Sequence, residues 1–409
     1  MISFDEAKQL LSNQVNRITA DTPTRIQTVV PLSEALGRIT LEPIFAPISV
    51  PLFDNSAMDG FAIRPIDVEN SSPSSPVTLK IDDEVRAGDA LKEMGKPQTA
   101  IRIMTGAPLP LDASAVIMKE DVVEKNGGIV VSRPIAVGKN IRRKGEDFNV
   151  GDEAVPAGTK VTPGVAGLMA SLGVRNVTVK PKPRVSMIAT GHELVSNIEA
   201  LQPGKILESN SVFLKAALAE IGISPVWNAV IEDDPTLIRG RVVAELEDSD
   251  VIIVTGGVSV GDHDYTRTVL EGLGVTQLFW KVAQKPGKPF YVGTLDKKLI
   301  FGLPGNPYAV FVCFYLYIRP ALLALMGDPR PELKGGCLKL SRPFLKKDEK
   351  THFLKGKTFE KNGEIFAEPL KGQGSHLMGA LIEANILIRV PAERNEFEPG
   401  DEVEVFYLP

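Results

Sequence analysis

VIIVTGGVSVGDHD, residues 251–264, decides the fold class. Val251, Ile252, Ile253 and Val254 form an apolar run that stops abruptly at Thr255-Gly256-Gly257, a pattern that predicts a fully buried parallel strand opening into a loop. Gly256, Gly257 and Gly261 lie among small hydroxyl residues, so backbone N–H groups can turn toward one anion with no side chain in the way. Asp262 and Asp264 follow at once. Glycine-rich backbone suits phosphate and carboxylates suit a divalent cation, so together they suggest a metal-bridged phosphate-ester or oxyanion site. A plain strand-to-helix turn is the other reading of this stretch taken alone.

Outward from it, strand and helix signals alternate from about residue 181 to about residue 328: strands at 185–189, 226–231, 251–254 and 299–302, helices at 211–221, 236–246 and 308–326. Such alternation predicts a parallel sheet covered by helices on both faces, with ligands beyond the carboxyl ends of the strands. The chemistry-bearing residues fall there. Thr190-Gly191-His192-Glu193 follows the first strand and Glu232-Asp233-Asp234-Pro235 the second; Asp234 can cap the next helix and Pro235 suits its first position, which leaves Asp233 without a capping duty. Leu303-Pro304-Gly305-Asn306-Pro307 sets a helix N-terminus at the same rim, a ready anion site. Lys281, Lys285 and Lys288 share a Pro/Gly-stiffened loop that could hold a phosphate by point charge or be a solvated surface.

Toward the N-terminus, Phe4, Ala7, Leu11, Val15 and Ile18 predict an amphipathic helix that needs a partner, in this chain or in another subunit. Residues 53–61, FDNSAMDGF, make a tight polar loop, and short strands at 77–81, 100–104, 115–119 and 129–132 predict a small β-rich module. Thr105 ends one of those strands. Lys139, Arg142, Arg143 and Lys144 form a cationic run, by default a solvated face. A helix is expected at 163–173, and beyond about residue 333 short strands predict a barrel or sandwich in which GQGSHLM, 372–378, is the one polar loop suited to binding.

Length and composition narrow the partners. At 409 residues the chain suggests roughly two to four domains. A net charge of −5 with both signs plentiful argues against nucleic acid and against a membrane surface, leaving small molecules. Cys313 and Cys337 alone cannot build a disulfide framework, no histidine spacing suits zinc, and the first residues lack a signal peptide, so the cytoplasm is the default location. The apolar stretch from 309 is interrupted at Arg319-Pro320, short of the ~20 residues that span a bilayer.

Taken together, FDNSAMDGF (53–61), RIMTGAP (102–108), NIRRKGED (140–147), ATGHEL (189–194), TGGVSVGDHDYT (255–266), KVAQKPGKP (281–289) and LPGNP (303–307) resemble one family, the molybdopterin molybdenumtransferases: MoeA of bacteria and the E domain of gephyrin. The resemblance covers nearly the whole chain. It implies a multidomain α/β-plus-β protein: an N-terminal linker region (1–50 and 135–180) carrying the dimer contact, a β-rich domain (51–134), a molybdopterin-binding α/β domain (181–328) and a C-terminal β-barrel (329–409). It implies a homodimer with each active site between subunits, which would partner the N-terminal helix. It also implies Mg²⁺-dependent insertion of molybdate into adenylylated molybdopterin with release of AMP, and a separate adenylyltransferase of MogA type as a possible partner. Carried over to this sequence, Asp59, Thr105, Glu193, Asp233 and Asp264 are the catalytic set, with Asp59, Glu193 and Asp264 for metal. Gly256, Gly257, Ser259, Lys281, Lys285, Lys288, Pro304, Asn306, Arg142 and Arg143 are the substrate-binding set. His192 departs from the aspartate common in relatives. A binding scaffold of gephyrin type and a tungstate-using variant are the alternatives; CinA-type proteins resemble the α/β domain only.

Overall fold

The computed structural model describes residues 1–21, 27–258 and 265–409. They form two compact units, one of Val29–Leu36 with Thr40–Thr178, the other of Met1–Thr28, Gly37–Ile39 and Val179–Pro409.

The first unit is built on a six-stranded sheet in the order Ala115–Met118, Gly60–Ile63, Thr99–Ile103, Val77–Val85, Gly128–Val131, Val123–Lys125. Alternation along its strands feeds two apolar clusters: Phe61, Ile63 and Ala100 point into one, Ala62, Ile101 and Ile103 into the other. Gly60 starts the Gly60–Ile63 strand because nothing larger fits; a Cβ there would lie 1.9 Å from the Ile117 carbonyl oxygen. The helix Pro163–Ser171 starts where Thr162 accepts from Val165 N (3.3 Å).

The second unit carries the predicted α/β sheet. Its order is Trp227–Ile231, Val185–Thr190, Val251–Thr255, Lys298–Leu303, Tyr291–Leu295, Thr276–Trp280. The first four strands are parallel, and the run 251–254 is continuously apolar because both faces are covered: Val251 and Ile253 enter one core, Ile252 and Val254 the other. Tyr291–Leu295 adds antiparallel to Lys298–Leu303 and Thr276–Trp280 antiparallel to Tyr291–Leu295, two strands for which the sequence reading named no element.

Packing resolves two points that the sequence left open. The helix Phe4–Asp21 finds its partner within its own unit: Phe4, Ala7, Leu11, Val15 and Ile18 are buried with Leu316, Tyr317 and Ala321, and the Phe4 ring lies 4.8 Å from that of Phe353. No second subunit is needed to cover that stripe. The helix expected at 308–326 runs from Pro307 to Leu325, so Arg319-Pro320 does not cut its apolar stretch short. A wide π-type turn, Phe314–Ile318, lies just ahead of Pro320 and lets the helix pass the missing N–H. By length and composition this helix could cross a bilayer, but 83% of it is buried in the protein core.

The C-terminal strands Gly335–Leu340, Thr351–Lys361, Glu364–Pro369, Ile386–Val390 and Glu402–Tyr407 close into a barrel through the pairing of Thr351–Lys361 with both Glu364–Pro369 and Ile386–Val390. Gln284–Lys285 joins its edge, parallel to Thr351–Lys361. That pairing brings the lysine loop of the α/β domain to the barrel wall.

Candidate active site

The rim of the parallel sheet is assembled around Gly256 and Gly257. Both have positive φ, +95° and +63°. Gly256 N donates to Leu303 O (3.0 Å), which ties the turn to the neighbouring strand end. A Cβ on Gly257 would meet Thr266 Oγ1 at 2.6 Å and Asp233 Oδ1 at 3.4 Å. Thr190 Oγ1 donates to Asp233 Oδ1 (3.0 Å), while Asp234 alone caps the helix Pro235–Asp248 through Thr236 N (2.8 Å) and Leu237 N (2.9 Å). Asp233 thus has no capping duty, and its hydrogen bond among the described residues comes from the Thr190 hydroxyl. The exposed Glu193 borders the same turn region, its carboxylate over Gly191, where a Cβ would come within 2.9 Å of Oε2. Ser259 and Asp264 lie outside the described residues.

Among the described residues no group of three or more carboxylate, histidine or cysteine side chains is gathered for a metal. Mg²⁺ does not require one. It commonly takes one or two carboxylates and completes its shell with water and substrate phosphates, and Asp233 beside the glycine turn is an oxygen donor of that kind.

In the first unit, Asp59 and Thr105 come together as one motif. Asp59 Oδ1 accepts from both Thr105 N and Thr105 Oγ1 at 2.8 Å. The backbone donor first, and the hydroxyl second, hold the Asp59 carboxyl below the usual carboxylate range. Replacing Thr105 with valine removes the hydroxyl donor only, so the Asp59 pKa is expected to rise part of the way back; NMR titration of the carboxyl checks this, and an unchanged pKa would remove the hydroxyl from the argument. The cationic run is laced to the same loop, since Ile141–Arg142 pairs with Asn55–Ser56. Arg142 is exposed, whereas Arg143 Nη1 is held by Asp54 Oδ2 (2.6 Å), so its guanidinium already has an anion of its own chain.

A cleft of about 910 Å³ opens in the second unit between the LPGNP turn and the barrel. Lys285, Lys288, Pro304 and Asn306 line it, together with Ser375 and His376 of the polar barrel loop. Its floor is rigid. Buried Gln284 receives the Tyr317 hydroxyl and donates to Pro286 O (3.1 Å), fixing the turn that carries the two lysines. Fully buried Lys355 donates to Gly372 O (2.9 Å) and Gly374 O (3.0 Å), fixing the loop opposite. Asn306 Nδ2 reaches Ser375 Oγ (3.0 Å), and Asn306 Oδ1 is buried with no partner among the described residues. Lys281 is not part of this wall; its ammonium sits 3.7 Å from the centre of the Trp280 ring. The sequence reading missed Lys346, Lys347, Asp348, Lys350 and His352, which also line the cleft. Their density of charge at 346–350 was the available signal.

A glycine turn with carboxylates at a sheet rim, and a lysine-walled cleft against a barrel, equip an enzyme for an anionic small molecule. Family models match throughout: the MoeA N-terminal region (domain I and II) at residues 2–173, a probable molybdopterin binding domain at 186–324 and the MoeA C-terminal region (domain IV) at 338–408. The molybdopterin molybdenumtransferase of Haemophilus influenzae is 35% identical over 99% of this chain and 98% of its own length. That of Bacillus subtilis is 37% identical over 93% and 89%. A crystal structure of the molybdopterin biosynthesis MoeA protein of Pyrococcus horikoshii superposes with a TM-score of 0.82 at 29% identity, covering 100% of both chains. The chain belongs to the MoeA family of molybdopterin molybdenumtransferases, transferases of molybdenum cofactor biosynthesis that act on molybdopterin and molybdenum.

Proposed function

We propose that the substrate is adenylylated molybdopterin, that molybdate is inserted into its dithiolene with Mg²⁺ present, and that AMP is released. The observation that carries this is Asp233, held by the Thr190 hydroxyl beside Gly257 of the glycine turn, with the Glu193 carboxylate over Gly191, next to Thr190 in the chain. Cleaving a phosphoanhydride develops negative charge on phosphate oxygens, which needs fixed cations and oriented donors more than a covalent nucleophile. Lys285 and Lys288 supply the charge. Asp233, oriented by Thr190, positions water or a metal-bound group; Asn306 Oδ1 offers an unpaired acceptor to a pterin N–H. Mg²⁺, when bound, would neutralise the phosphoanhydride; in the α/β domain Glu193 and Asp264 would be its carboxylates, and Asp59 is assigned to metal by the resemblance alone. The subunit and domain organisation given above for the family, a cytoplasmic location, a homodimer with each active site between subunits, and a MogA-type adenylyltransferase supplying the substrate complete this reading.

The test is AMP release and molybdenum incorporation with purified protein, adenylylated molybdopterin, Mg²⁺ and molybdate. Molybdate-dependent release is expected. Tight binding without release would favour a tungstate-using or scaffold protein, and absence of binding would overturn the reading. In the same assay His192→Asp is expected to stay within a few-fold of the parent while Glu193→Ala abolishes turnover. The opposite ranking would move the ligand role to position 192.

A further inference from the structure

The lysine-walled cleft contains one carboxylate among its described lining residues, Asp348, and that carboxylate is the hub of its cations. Asp348 Oδ1 lies 2.8 Å from His352 Nε2, and Oδ2 lies 3.8 Å from Lys285 Nζ and 4.0 Å from Lys350 Nζ. The arrangement is held by backbone: Lys285 pairs in register with His352, and Asp348 Oδ1 accepts from Lys350 N (3.2 Å). His352 is 6% exposed while Lys285 reaches into the cleft with a side chain 62% exposed.

We propose that Asp348 is the resident counter-anion of this cleft and His352 its proton-linked partner, so that a dianionic group arriving at Lys285 displaces Asp348 from that lysine and is accompanied by a proton taken from solvent onto the His352 imidazole. The proposal rests on the reading of the cleft as an anion site. It makes Asp348 a specificity-determining residue, because a weakly charged ligand does not compete with a carboxylate already in place.

The charges facing His352 give the direction. Asp348 and Lys350 come from its own stretch, Lys346 and Lys347 from just before it, and Lys285 from the adjoining strand; on its other side it pairs with apolar Val390. Lys346 is fixed, donating to Lys350 O (3.0 Å) and Ala392 O (2.7 Å). Burial first, then Lys285 and Lys346, push the imidazole below its ordinary value against the pull of Asp348. With Nε2 donating to Asp348, the second proton goes to Nδ1. A dianion that neutralises Lys285 and adds negative charge raises the imidazole pKa, so binding takes up a proton and, by reciprocity, affinity falls as pH rises.

Sulfate is the probe, because it does not titrate where histidine does. Calorimetry of sulfate binding to the full chain, in buffers of differing ionisation enthalpy between about pH 5 and about pH 8, reads the protons taken up. The parent is expected to take up a fraction of a proton per sulfate, with affinity falling by at most about tenfold per pH unit. His352→Gln is expected to bind sulfate with no uptake, Asp348→Asn to bind it several-fold more tightly, and His376→Gln, on the same cleft, to keep the uptake. Binding without proton uptake in the parent, uptake unchanged in His352→Gln or abolished in His376→Gln, or weaker binding in Asp348→Asn overturns the inference and leaves the anion site standing. No sulfate binding to any of these proteins overturns both.

Discussion

Asp233→Asn is expected to leave the fold intact and reduce molybdenum transfer by about 10²- to 10³-fold, the usual loss when one preorganised polar group is removed from a transition-state site. Its neighbour should behave in the opposite way. Asp234→Ala removes the acceptor for Thr236 N and Leu237 N, so it is expected to cost about 1 kcal/mol of stability and to leave turnover within a few-fold. Asparagine keeps an oxygen for the Thr190 hydroxyl, so the geometry of the rim survives and only the charge is lost. Steady-state molybdenum incorporation with a urea unfolding curve for each variant separates the two. Equal activity in Asp233→Asn and the parent would take Asp233 out of the chemistry and make its bond to Thr190 a structural latch.

The Asp234 cap was legible in the sequence, because capping depends on a fixed offset from the first helical residues and Asp234-Pro235 satisfies it. The same holds for the Val251–Thr255 strand, whose unbroken apolar run has meaning only if both faces are covered. What stayed hidden depends on long-range pairing. The stripe of Phe4–Asp21 announces that a partner exists without saying which, and the answer, the wall around Leu316 and Tyr317, lies near the far end of the α/β domain. Lys281 shares a loop sequence with Lys285 and Lys288, yet its φ of +66° turns the chain and its ammonium is over Trp280. Asp348 and His352 belong to the cleft only because Gln284–Lys285 crosses to the barrel edge, a pairing no local pattern signals.

Gly256→Ala is expected to be the most destabilising single change in the sheet rim, by at least about 3 kcal/mol. Two costs coincide there. A φ of +95° is unfavourable for any residue with a Cβ, and that Cβ would stand 2.2 Å from the Thr190 carbonyl oxygen, a backbone atom that cannot swing aside. Relief requires Val251–Thr255 to slide against Val185–Thr190, where Ala189 is in register with Thr255 at the core of the parallel sheet. Gly274→Ala isolates the first cost, because its φ is +83° and a Cβ there meets nothing within 4 Å; about 1 kcal/mol is expected. Gly257→Ala falls between them, since its nearest contact is the Thr266 hydroxyl, a side chain that can rotate, but the rotation breaks the Thr266 bond to Gly256 O (3.2 Å) and crowds Asp233. Urea midpoints for the three variants order these costs. If Gly256→Ala is no worse than Gly274→Ala, the strand ends have slack, and the glycine at 256 serves the approach of a ligand to the backbone rather than the packing of the two strands.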